Sequence, residues 1–191
     1  MGAIGIEFKN DRTRAKEELE GSDGRANVSS RQDSRAYYNS RDNGQTYSFP
    51  FEFRAAESGE FAAYFKNTNS AGLQFVPTSV ICSAGANVKL KLWFVTGTAA
   101  GGDLVTPTND NRTSPNAATA VAMEGGSAGT GITGLTADSL IEVTRCAANH
   151  DVELSIADSV RIGQNDAIAI EVDEGTAADV EGTILGFYEA V

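Results

Sequence analysis

The chain's few candidates for chemistry are one histidine, two cysteines, one acidic turn and one glycine-rich run. His150, in AANHDVE, follows a loop and precedes a strand-like run. A general base needs a partnered nucleophile, and no GxSxG elbow or comparable setting accompanies it. It reads as an ordinary loop residue. Cys82 and Cys146 are far apart, without CxxC spacing. They read as two small, free, partly buried thiols, with a disulfide as the lesser alternative. A metal site would have only His150 to draw on. Asp173, Glu174 and Asp179 gather around one turn but lack the alternating spacing of a calcium loop, so solvated turn carboxylates are expected. GGSAGTGITG, Gly125–Gly134, is followed by no Lys-Ser/Thr pair and opens no helix. A β connection fits it better than a phosphate cradle. The sequons at Asn27 and Asn111 have no secretory leader to give them weight. The expectation is no enzyme, no catalytic residue, no metal and no cofactor.

Other residues are suited to contact rather than reaction. Trp93 could stack on a sugar ring, or simply be an outer-face aromatic covered by a neighbour. Tyr37 and Tyr38 stand together in the polar stretch SSRQDSRAYYNSRDNGQTYS. In an extended segment their rings point opposite ways, so one can dock on the body while the other meets a partner. The formal net charge is −11. Residues 1–48 hold eight Lys/Arg and eight Asp/Glu, so the whole excess lies in residues 49–191. An acidic body repels nucleic acid and anionic membranes. No run approaches the roughly 18 apolar residues needed to cross a bilayer, and a soluble protein made in a cytoplasm is expected.

The elements that must position these residues change character near Gln45. Residues 1–45 are poor in aliphatics and rich in Arg, Asp, Asn and Ser; they read as an extended arm, with a short helix possible at Thr13–Glu20. Residues 46–191 read as a β body. Tyr47, Phe49, Phe51 and Phe53 alternate in Thr46–Phe53, and Pro50, on the other parity, marks an edge strand. Further strands are expected at Glu60–Asn67, Leu73–Ser83 (bent at Pro77), Val88–Thr96, Leu140–Cys146, Asp151–Ile156, Val160–Ile162, Ala167–Asp173 and Gly182–Glu189. In Val88–Thr96, Leu90 and Leu92 face in and Lys89 and Lys91 face out. Residues 97–136, rich in Gly, Thr and Ala, read as a long loop region with one strand near Ala117–Met123. Nine or ten short strands and no core helix indicate a β-sandwich, and the late return of strands favours a jelly roll.

The polar N-terminal segment GSDGRANVSSRQDSRAYYNSRDNGQTYSF resembles that of tailed-bacteriophage virion structural proteins, as do AAYFKNTNSAG, LKLWFVTGTAAGG, QNDAIAIEVDEGTA and ILGFYE. Within that group the likeness is to capsid decoration (cement) or auxiliary head proteins, and it covers most of Gly21–Glu189. The resemblance implies a jelly-roll-like β-sandwich on the outer capsid surface of the virion, bound to the major capsid protein and to copies of itself, often as trimers. It carries no active-site residues. On this reading Arg25, Arg31, Arg35 and Arg41 make forked pairs with carboxylates of a partner, beside Tyr37 and Tyr38. The alternatives are a head-fibre or tail-associated glycan-binding module using the 97–136 region, and a depolymerase built on two carboxylates.

Overall fold

The computed structural model describes residues 44–70, 72–126, 129–154, 156, 159–175 and 177–190. The segment expected to be an arm, with Arg25, Arg31, Arg35, Tyr37, Tyr38 and Arg41, lies outside the described residues except for Gly44 and Gln45. Eleven strands follow: β1 (Thr46–Ala56), β2 (Glu60–Asn67), β3 (Leu73–Ala84), β4 (Val88–Ala100), β5 (Asp103–Val105), β6 (Thr108–Asn109), β7 (Ala120–Glu124), β8 (Thr133–Cys146), β9 (Asp151–Leu154), β10 (Ala167–Gly175) and β11 (Ala178–Ala190). They form two antiparallel sheets, ordered β6-β1-β11-β3-β9 and β5-β7-β2-β10-β4-β8. The sheets pack face to face as an all-β sandwich.

Four longer-range pairings, joining eight strands, are nested. β1 pairs with β11, β2 with β10, β3 with β9 and β4 with β8, all antiparallel. The short strands β5, β6 and β7 lie in the crossing from β4 to β8 and attach at sheet edges.

Period-two alternation builds the core between the sheets. Tyr47, Phe49, Phe51 and Phe53 all turn inward from β1, and Leu90 and Leu92 turn inward from β4, fully buried. Phe49, Phe75 and Tyr188 from one sheet meet Phe65 from the other, with ring centroids 4.4–5.3 Å apart along the cluster. Edge-to-face aromatic packing of this kind adds to the area it removes from water. Tyr188 satisfies its hydroxyl by donating to the Thr119 carbonyl at 3.0 Å. Pro50 pairs with Thr183 of β11, and β6 reaches β1 only at Tyr47 and Ser48, so the proline occupies an edge. Opposite Pro77 the β3–β11 register slips, the bulge expected there. Glycine in the Gly125–Gly134 run has a packing reason: a Cβ on Gly125 would sit 2.1 Å from the Phe53 ring.

The outcome differs from the sequence reading in three places. Residues 97–136 are less loop than expected: β4 continues to Ala100, β8 begins at Thr133, and β5, β6 and β7 lie between. The region 160–162 makes one isolated bridge, Phe75 with Ile162, rather than a strand. The strand expected to end at Asp173 runs on to Gly175, so Glu174 belongs to β10 rather than to the turn.

Candidate functional site

The outer face of the β5-β7-β2-β10-β4-β8 sheet carries an ionic cluster that the strands themselves assemble. A bulge between Val172 and Glu174 brings Asp173 and Glu174 against β4. Lys89 Nζ lies 2.6 Å from Asp173 Oδ2 and 3.2 Å from Glu174 Oε1, and Lys91 pairs with Asp173 as well. Arg145 Nη2, from β8, reaches Glu174 Oε2 at 3.1 Å. Hydrogen bonds from Lys89 hold both carboxyls below their ordinary range, and Asp173 in turn raises Lys89. The lysines face outward as their parity demands, but their side chains are only about one-fifth exposed. The expectation of solvated turn carboxylates is thus corrected: a strand bulge pairs them with lysines. Trp93 is on the same face. Its indole N–H donates to Glu171 Oε2 at 2.7 Å, and Lys91 Nζ lies 5.6 Å from its ring centroid. This face is internally matched, with cation set against carboxylate.

The other outer face is built differently. The ladders place Glu52 of β1 opposite Glu181 of β11, Glu181 opposite Ser83 of β3, and Ser83 opposite Asp151 of β9. One row across four strands therefore carries three carboxylates. The next row is Pro50, Thr183, Ile81 and Glu153. Apart from Glu153, the residues of these two rows floor an open groove of about 740 Å³, walled by Leu104, Val105 and Thr106, with Glu124 at its rim. Glu124 Oε2 accepts the Glu52 amide at 2.6 Å. Arg54 Nε sits 2.9 Å from Glu52 Oε1. No Lys or Arg lines the groove among the described residues. Ile81 is 40% and Leu104 78% exposed.

Facing carboxylates are the raw material of glycoside hydrolysis, where one of the pair is held protonated by its surroundings. Here Glu52 and Glu181 both stand exposed on the sheet surface. The buried polar side chains among the described residues are Asn67 and Asn69, so no buried acid stands beside them. The arrangement suits binding of positive charge.

His150 is an exposed turn residue whose carbonyl accepts the Cys146 thiol at 3.0 Å. Cys82 and Cys146 are free and buried in the core, and burial pushes the Cys82 thiol up to about 12. Among the described residues no cluster of His, Cys, Asp or Glu is arranged to hold a metal ion. Among the described residues no helix is long and apolar enough to cross a membrane. At the boundary with the arm, the Gly44 carbonyl accepts from Asn109 Nδ2 at 2.9 Å and Ser114 Oγ at 3.0 Å, so the 109–114 loop clasps the chain just before β1. No protein-family model, curated protein or solved structure matches this chain.

The acidic row escaped the sequence reading because its three carboxylates come from three strands distant in sequence. Glu52 and Asp151 fall within strands the sequence shows, but Glu181 lies just before the strand expected at Gly182–Glu189. That they align in one row depends on three registers, which the sequence does not show.

Proposed function

We propose that this chain is a non-enzymatic structural protein of a tailed-bacteriophage virion, made in the host cytoplasm. It decorates or cements the outer capsid surface, held through its N-terminal arm to the major capsid protein and to copies of itself as a trimer. The observation that carries the reading is the nested pairing of β1–β11, β2–β10, β3–β9 and β4–β8. That winding supports a jelly roll, an architecture used by viral capsid and lectin domains. The arm supplies what the acidic body lacks. Arg25, Arg31, Arg35 and Arg41 offer forked donors to carboxylates, and Tyr37 and Tyr38 offer rigid contact area at small entropy cost.

The experiment is particle binding. Deleting residues 1–44 leaves a folded β body that no longer sediments with particles, because the apolar alternation starts at Tyr47. Arg35→Ala combined with Tyr37→Ala and Tyr38→Ala lowers occupancy, while neutralising Asp173 and Glu174 leaves it unchanged. Full occupancy by the arm variants overturns the reading. Consistent sugar binding by the body on a glycan array would favour the lectin use of the same architecture instead.

A further inference from the structure

We infer that the outer face of the β6-β1-β11-β3-β9 sheet is a docking surface for the arginine-bearing segment 25–41 of a second copy of this chain. The inference concerns contacts between copies and stands independently of the capsid reading.

Three features of the face call for a cationic, partly apolar occupant. Like charges directly opposite across strands are destabilising, and Glu52 faces Glu181 in the β1–β11 ladder. Asp151 extends the same row two strands further. Arg54, on the same strand, pairs with Glu52 at 2.9 Å, but the groove that runs over the row has no lining cation among the described residues to meet Glu181 and Asp151. Ile81 and Leu104 stand exposed beside the carboxylates and would be covered by an occupant. On the opposite outer face the chain matches carboxylates internally: Lys89, Lys91 and Arg145 pair with Asp173 and Glu174 there.

The sequence holds a complement. Segment 25–41 carries four arginines against one aspartate, Asp33. The arginines fall at 25, 31, 35 and 41, all of one parity. In an extended segment they would share one face with Tyr37 and with Asp33, leaving that face four arginines against one carboxylate. Arg31 and Arg35 would then stand about 13 Å apart at about 3.3 Å per residue, and three inter-strand steps from Glu52 to Asp151 span about 14 Å. Two guanidiniums can therefore meet the two ends of the acidic row, leaving Tyr37 for the aliphatic wall. The 43 residues before Gly44 are long enough, at about 140 Å of contour, to reach a neighbour. A segment-to-face contact is heterologous, and heterologous contacts close into rings such as the proposed trimer.

The test uses the full-length chain without particles. Sedimentation across a concentration series at low and high salt should show self-association that salt weakens. Glu181→Gln with Asp151→Asn, and separately Arg31→Gln with Arg35→Gln, should each weaken it about tenfold, the effect of two exposed charge pairs. Glu57→Gln, an exposed carboxylate outside the groove, should not. Copies bearing Glu181→Arg and Asp151→Arg mixed with copies bearing Arg31→Glu and Arg35→Glu should associate where neither does alone. A thermal melt of each variant checks folding, and Glu181→Gln should melt no lower than the parent because it relieves the facing charges. A chain that stays monomeric at every concentration overturns the inference, as does association indifferent to the groove substitutions. A parent chain that self-associates yet never binds particles would sink the capsid reading alone.

Discussion

Replacing Asn67 should cost this fold more than any surface charge. Asn67 ends β2 and is fully buried. Its side-chain amide donates to the Leu73 carbonyl at 3.0 Å and the Ile162 carbonyl at 2.9 Å, while Oδ1 accepts the Asn69 amide at 2.9 Å. One side chain thus ties the end of β2 to the start of β3 and to the segment before β10. Asn67→Leu keeps the volume and removes all three bonds. A buried polar group left without its partner costs about 1–3 kcal/mol. Leu73 is partly exposed and water can reach its carbonyl, so the sum is about 2–5 kcal/mol. For a chain of this size that lowers the melting temperature by about 6–12 °C, taking a central loss of about 3 kcal/mol. Asn67→Asp is the sharper probe. It keeps the acceptor for Asn69 but sets a carboxylate against two carbonyls, which raises the folded pKa of the new acid. Its stability relative to the parent should therefore rise as pH falls and the acid regains a proton to donate. Melts of both variants by circular dichroism, the Asp variant at several pH values, decide it. A Leu variant within about 0.5 kcal/mol of the parent would refute the reasoning.

Leu92→Ala should cost roughly 2–5 kcal/mol, read as a lowered melting temperature, because Leu92 is fully buried between the sheets. Asp173 and Glu174 are held below their ordinary values by Lys89, so their contribution is present above about pH 4.5 and is lost as pH falls through their lowered values. Asp173→Asn should accordingly melt lower than the parent at pH 7, with the gap closing in acid. Both thiols are raised by burial, so a thiol-reactive dye at pH 8 should label the native chain slowly and count two sites after denaturation.

The sequence made the core strands legible wherever one face is buried and the other wet. Tyr47 to Phe53 and Val88 to Leu92 alternate cleanly because each side chain's fate is decided by the pleat alone. Pro50 and Pro77 were legible for a similar local reason, since a missing amide proton constrains its own ladder. The strand ends were not. β4 and β8 run on past Thr96 and begin well before Leu140, through residues whose composition reads as loop. They persist as strand because each supplies the other's hydrogen bonds, with Gly97 and Gly134 at positive φ where the two backbones close up. Glu174 was misplaced because a bulge, which no local pattern announces, carried the strand past Asp173. Asn67 stood in a motif that carried the resemblance to virion proteins, but its role as a clamp depends on carbonyls six and 95 residues away.

The edges and faces of the sandwich then differ in what they leave for a partner. β8 is a long edge strand, but two residues are inserted in it opposite β4, one between Leu92 and Trp93 pairings and one between Phe94 and Val95 pairings. Such bulges twist an edge away from regular pairing and guard it against strand addition, even with Leu140 47% and Val143 39% exposed. The outer face behind β8 spends its cations on its own carboxylates. The face of β1, β11, β3 and β9 has less of either device along its acidic row: its ladder there is regular from Thr46 to Phe53, Arg54 pairs with Glu52, and the groove lining beside Glu181 and Asp151 carries no cation among the described residues. A body that guards one edge with bulges and neutralises one face with lysines, while leaving the other face acidic, offers that face to the association proposed above. The arginine-bearing segment is the part of the same chain with the opposite charge balance, and on that proposal its attachment is where the charge asymmetry between the two parts of the sequence would acquire a physical consequence.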